Sequence, residues 1–151
     1  MLDLDAILKI SGLLGGIIAL VTFWRNAKLK RAEWLYQLHA KFYESPAYKR
    51  VRHMLDYQPD PEFADLREAV TQGGHDELAE AFVDYLNFFE FVASLWKMGQ
   101  LNQREIAMIF EYYLLNLKKH EFVMEFITHN GFENLEALIA RVSADRHRGL
   151  A

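Results

Sequence analysis

Apolar positions are arranged in two different ways along the chain. From Ile10 to Trp24 the residues ISGLLGGIIALVTFW run without a charge, and taking in Ala6 to Lys9 extends the stretch to nineteen residues with one lysine. As a helix rising 1.5 Å per residue, that stretch is about 28 Å long, close to the roughly 30 Å hydrocarbon core of a bilayer. Beyond residue 32, apolar and aromatic residues recur instead at helical spacing and are interrupted by turn chemistry. Ser45-Pro46 reads as an N-cap and first-turn proline for a helix through PAYKRVRHML. Tyr57 to Pro61 predicts a turn, with Asp60-Pro61 as the next helix start, and Gln72-Gly73-Gly74 predicts another break. Asp76-Glu77 opens the most apolar helix, which runs through Met98 and meets Gly99 as its stop. Asn102 and Glu105 have capping-box spacing for one long helix from Gln103 to His129, closed by Asn130-Gly131. Phe132 to about Ser143 makes the last helix. Strand-type alternation is not sustained anywhere, and no internal repeat is evident.

These signals predict an all-α protein: an N-terminal single transmembrane helix followed by a cytoplasmic helical bundle of about five helices. The expected divisions are an anchor at 1–24 with its N-terminus outside, a basic juxtamembrane and connecting helix at 25–44, the bundle at 45–143 and a polar tail at 144–151. Neither Gly nor Pro occurs between Ile17 and Glu44, so the membrane helix is free to continue beyond the interface. A buried core helix of a soluble protein is the other reading of the apolar run.

Charge gives the first stretch an orientation. Lys9, Arg25, Lys28, Lys30 and Arg31 take five of the 17 bases, whereas of the 21 acids only Asp3 and Asp5 precede residue 32. The basic cluster just past Trp24 places that end in the cytoplasm by the positive-inside rule, with Trp24, Arg25, Lys28, Lys30 and Arg31 at the membrane interface of a cell inner membrane. From Ala32 onward the remaining 12 bases face 19 acids, a net −7, which argues against general nucleic-acid binding. Within the run, Gly12 and Gly16 form GxxxG, and Ser11, Gly15 and Ala19 form a second row of small residues that lets helices approach closely. The lipid bilayer and further copies of the chain are the partners this implies. Ser11, Gly15, Ile18 and Thr22 share one stripe, open to three readings: a packing face, a pore lining or no special role.

The chain has no cysteine, which removes disulfides, thiolate metal sites and cysteine nucleophiles together. It carries no Glu-x-x-His pair of the metal-carboxylate type, no phosphate loop, no GxSxG elbow and no HExxH. No cofactor or metal is implied, and no catalytic residue is expected. In FVDYLNFFEFVASLW, apolar residues on nearly every side predict a central, buried helix. Its polar residues Asp84, Asn87 and Glu90, with Arg50 and Arg52 as partners, then form a buried polar network. That network reads either as a device that fixes helix register or as an acid–base or metal cluster.

The segments RAEWLYQLHAKFYESPAYKRVRHML, FVDYLNFFEFVASLWKMGQL and FEYYLLNLKKHEFVMEFITHNGFENLEALI, behind a short apolar helix, resemble the bacterial proteins grouped under DUF4760, over about Arg25 to Ile139. The resemblance implies a membrane-tethered helical module. The layout also resembles the CRISPR-associated small membrane protein family that accompanies an RNA-guided RNA-cutting effector, which implies an oligomeric pore with a HEPN-like helical domain acting in antiviral defence. Arg141 and His147 satisfy the loose Arg-x(4–6)-His spacing of HEPN ribonucleases, but Val142 stands where those enzymes carry a polar residue. Three functions are expected in order: a self-associating membrane protein or pore, a membrane-tethered adaptor for a cytoplasmic protein partner, and a HEPN-like ribonuclease.

Overall fold

A computed structural model describes the backbone of residues 4–56, 61–72 and 77–147 and the side chains of residues 12–56, 63–71 and 77–146. The described elements are α1 (Leu4–Glu44), α2 (Pro46–Asp56), α3 (Pro61–Gln72), α4 (Glu77–Lys97), α5 (Gln103–Lys119), α6 (Glu121–His129) and α7 (Glu133–His147). They fall into two compact units, Met1–Lys41 and Phe42–Ala151. The second unit holds six helices among its described residues, where about five are expected from sequence. The predicted turn at Tyr57–Asp60 and the break at Gly73–Gly74 lie outside the described residues.

The all-helical expectation stands, but the transmembrane part of it is corrected. Among the described residues no helix is long and apolar enough to cross a membrane. The nineteen-residue span depends on counting through Lys9. The uncharged run itself, Ile10 to Trp24, is fifteen residues, about 22 Å of helix against a core of roughly 30 Å. The helix then continues through Arg25, Lys28, Lys30 and Arg31 to Glu44 without a break. The transmembrane anchor, the single-pass description and the inner-membrane placement fall together.

Pro46 ends α1. A proline ring disfavours helical backbone at the residue before it, so Ser45 leaves the helix and becomes the cap of α2, its Oγ accepting from the backbone N–H of Tyr48 at 3.3 Å. At the other end of the bundle, the capping box of α5 forms as its spacing predicts. The Asn102 side chain accepts from Glu105 N at 2.9 Å, and the Glu105 carboxylate accepts from Asn102 N at 2.9 Å. Gly99 and Gly131 have φ of 72° and 80°, the left-handed turn that ends α4 and α6 and that a side chain disfavours.

Two elements of the bundle differ from expectation. The first is α4, which packs against α2, α3 and α7. It buries Leu78, Phe82, Tyr85, Leu86, Phe89, Val92 and Ala93, but Glu80, Asp84, Asn87 and Phe91 form an outward stripe at helical spacing. It is therefore amphipathic in its setting, and its aromatic content conceals the polar side. The second is the predicted Gln103–His129 helix, which is broken at His120, whose backbone is extended at φ −102° and ψ 108°. The inward row of α5 is Ile106, Phe110, Leu114 and Leu117. An unbroken helix would carry that row on to Glu121 and to Met124 or Glu125. One extended residue rephases the chain so that Phe122, Val123 and Ile127 point inward instead. Burying apolar side chains in place of glutamates decides the geometry.

Candidate functional site

The two units offer different candidates: polar side chains inside the bundle, and an apolar surface on α1.

In the bundle, the polar residues with large burial act on helix ends. Arg52 lies under the last turn of α1, donating from Nη1 to the Phe42 carbonyl and from Nη2 to the Tyr43 carbonyl at 3.2 Å. Its guanidinium stacks on the rings of Phe42 and Tyr43, with Cζ 4.6 and 5.0 Å from their centroids. A cation at the carbonyl end of a helix meets the negative end of the helix dipole, and stacking keeps it from water without leaving its donors unused. The carbonyl end of α2 is served from α5: Asn116 donates Nδ2 to the Leu55 carbonyl at 3.0 Å and to Asp56 Oδ1 at 2.7 Å, and His120 Nε2 is 3.1 Å from the same Leu55 carbonyl. The third case is of opposite sign. Phe132 precedes α7 and has no side-chain acceptor to offer, and Glu90 of α4 takes the role. Its carboxylate accepts from Leu135 N at 2.7 Å and from Asn134 Nδ2 at 2.6 Å, an anion at the positive end of a helix.

This arrangement settles where the expected buried network lies. Arg52 is buried and Glu90 half-buried, but Arg50, Asp84 and Asn87 are exposed, so the five residues do not form one buried cluster. Arg52 turns to the backbone of α1, Glu90 to α7, and Arg50 and Asp84 line an open surface hollow with Pro46 and Glu80. Asn116 and His120 were not singled out from sequence. The lone signal for them was an asparagine in the apolar row of α5, where a polar residue must find a partner.

The titration of this region follows burial. Burial raises the Asp56 carboxyl above the usual aspartate range, against the lowering effect of a Tyr112 hydrogen bond and of Arg52. Burial lowers the His120 imidazole, although its bond to Leu55 works the other way, and Phe63 packs on its ring at 5.2 Å between centroids. Tyr113 is pushed upward by burial and by the Tyr43 hydroxyl. These groups have their hydrogen-bonding capacity directed at helix ends and at each other, which is an arrangement for holding a bundle together. Among the described residues no group of three or more His, Asp or Glu side chains is placed to hold a metal ion. Arg141 lies in α7, which continues past the expected boundary at Ser143. Its Nε donates to Gln103 Oε1 at 3.0 Å and is 3.7 Å from Asp145. The His147 side chain lies outside the described residues.

On α1 the situation is reversed. Leu13, Ile17, Leu20, Val21 and Trp24 are all exposed, Leu13 at 67% and Trp24 at 63%. Gly12, Gly15 and Gly16 sit mid-helix, and a Cβ placed on any of them would meet no atom within 4 Å. Each glycine costs its helix about 0.5–1 kcal/mol relative to alanine, and no close contact within the chain offsets that cost. Ala19 is exposed beside them, and Ser11 is helical with its side chain outside the described residues. Trp24, Arg25, Lys28, Lys30 and Arg31 are likewise exposed.

The sequence pattern of one family, described as a domain of unknown function (DUF4760), matches residues 9–142. No curated protein and no solved structure matches the chain.

Proposed function

Since the chain belongs to the DUF4760 family, we propose that its members of this form are self-associating helical adaptors, in which α1 gathers copies and the bundle presents a surface to a protein partner. The observation that carries the reading is the row Gly12, Gly15, Gly16 and Ala19: three helix-weakening residues on an exposed apolar helix, with open space over each glycine. Small residues at this spacing allow two helix backbones to come close, and close approach supplies the packing that the isolated helix lacks. The apolar residues beside them supply area to bury. No catalytic step is assigned to the chain.

The test is the absolute mass of the full chain by light scattering in mild detergent. Beside it run a version starting at Ala27 and the double variant Gly12→Leu/Gly16→Leu. The reading expects a defined oligomer for the full chain and a smaller species for the other two. A monomer in all three overturns it.

For the bundle, the exposed Met108 and Tyr112, on one side of α5 and opposite its buried Ile106 and Phe110, have the composition of a protein-binding surface. A partner that co-purifies in fixed stoichiometry and is lost with Met108→Glu/Tyr112→Ser supports this side of the reading. Retention of that partner by the variant removes this surface from it.

A further inference from the structure

One arc of α1 collects its small residues and another a row of bulky ones, with the exposed Leu14, Ile18 and Phe23 lying outside that row. At 100° per residue, Gly12, Gly15, Gly16 and Ala19 fall within one arc, while Leu13, Ile17, Leu20, Val21 and Trp24 fall on the other side. That second side does not end at Trp24. The same stripe continues into Lys28, and Leu20, Val21, Trp24, Arg25 and Lys28 line one open hollow. No acid occurs between Asp5 and Glu33, so nothing in this stretch of sequence neutralises the basic end.

We infer that this bulky side of α1 is an interaction surface for anionic lipid. Its apolar residues lodge in the headgroup and acyl boundary of one leaflet, and Arg25 and Lys28 meet the lipid headgroups. The chemistry discriminates between partners. A polyanion without an apolar phase would engage the bases but leave Leu13, Ile17 and Leu20 in water. A neutral apolar partner would leave the bases without a role. A lipid surface of net negative charge satisfies both, with Trp24 at the boundary, where its ring has an apolar body and a polar N–H. The described apolar stretch, Gly12 to Trp24, is about 20 Å of helix, which suits entry into the near leaflet and is less than the full core. The lipid surface stands apart from self-association, because the two use different arcs of the helix.

The experiment is flotation of the full chain with vesicles of phosphatidylcholine alone and of phosphatidylcholine with phosphatidylglycerol, at low and high salt. Two variants are run beside it: Arg25→Gln/Lys28→Gln and Ile17→Gln/Leu20→Gln. These side chains are exposed, so both variants keep the fold, which circular dichroism verifies. Binding to anionic vesicles is expected to exceed binding to neutral ones and to weaken by about twenty-five-fold in the basic double variant, at about fivefold per base near an anionic surface. It should also weaken with salt and in the apolar double variant. Equal binding to both vesicle types, or no binding to either, overturns the inference. So does binding to polyglutamate that matches the anionic vesicles and survives Ile17→Gln/Leu20→Gln, which would identify an acidic protein as the partner. Gly12→Leu/Gly16→Leu keeps lipid binding if only the self-association reading fails.

Discussion

The first unit, Met1–Lys41, and the second, Phe42–Ala151, are both rich in apolar residues and treat them in opposite ways. In the second, Phe42, Val51, Met54, Leu66, Phe82, Phe89, Phe110, Leu114 and Leu138 are essentially inaccessible to water, and the polar residues among them are directed at helix ends. In the first, Leu13, Ile17, Leu20 and Trp24 remain exposed on a continuous helix. Hydrophobicity alone therefore does not tell a core from a contact surface. What separates them is whether the same chain brings a second element to the apolar side, and the charged residues around each stretch hint at the outcome. The bundle carries −7 beyond residue 31, spread over its surface, whereas the exposed stretch of α1 is bounded by bases.

The contrast breaks most visibly at Phe42, the α1 residue that opens the second unit. Its ring lies 4.9–5.8 Å from those of Tyr85, Phe88, Phe89, Phe110 and Tyr113. Phe42→Ala should cost about 3–5 kcal/mol, the range for emptying an aromatic core site, read as a lowered urea midpoint. Leu13→Ala on the same helix should leave that midpoint unchanged. Equal effects would mean that the division at Lys41 has no energetic content.

A smaller loss is expected at Arg52. Arg52→Ala strands the Phe42 and Tyr43 carbonyls and should cost about 1–3 kcal/mol. Arg52→Lys should recover only part of this, because an ammonium lacks the planar fork that reaches both carbonyls while stacking on the rings. Full recovery by lysine would reduce the role to charge alone.

Next in size is Asn102→Ala, which removes one half of the α5 capping box and should cost about 1 kcal/mol, measured the same way. An unchanged midpoint would show that the end of α5 is held by packing and not by its cap.

The smallest effect expected is in pH dependence. Because burial lowers the His120 pKa in the folded protein, the unfolded chain binds that proton more readily. The contribution of neutral His120 is fully present above the ordinary histidine value of about 6.5 and declines as pH falls from there toward the folded value. Asp56 has the opposite sign in a more acidic window. Its raised folded pKa gives most stability with the carboxyl protonated, and that stability falls as pH rises from the ordinary carboxylate value through the folded one. His120→Gln should flatten the profile just below pH 6.5 and leave the acidic limb in place. A profile of unchanged slope there would separate the ring from the stability of the junction.

Much of the bundle was legible because its boundaries are written in local chemistry. Ser45-Pro46, Gly99, Asn102 with Glu105, and Asn130-Gly131 all mark helix ends where the structure has them. The break at His120 was not legible, since neither glycine nor proline marks it. It arises from the need to bring Phe122, Val123 and Ile127 inward. The proposed grouping of Arg50, Arg52, Asp84, Asn87 and Glu90 failed for a related reason. An aromatic-rich helix reads as buried all round, and its outward stripe is fixed only by which neighbours it meets. On α1 the length of the apolar run was readable, but counting through Lys9 made it look sufficient for a membrane span.

The sequence by itself determined the helical class, most helix ends and the uneven distribution of charge, because propensity, capping and net charge act over a few residues. Tertiary structure decided which helix end each buried polar side chain serves. Arg52, Asn116 and Glu90 each satisfy backbone groups of another helix, and a hydrogen bond between residues 10, 61 or 45 positions apart depends on packing that no local pattern encodes.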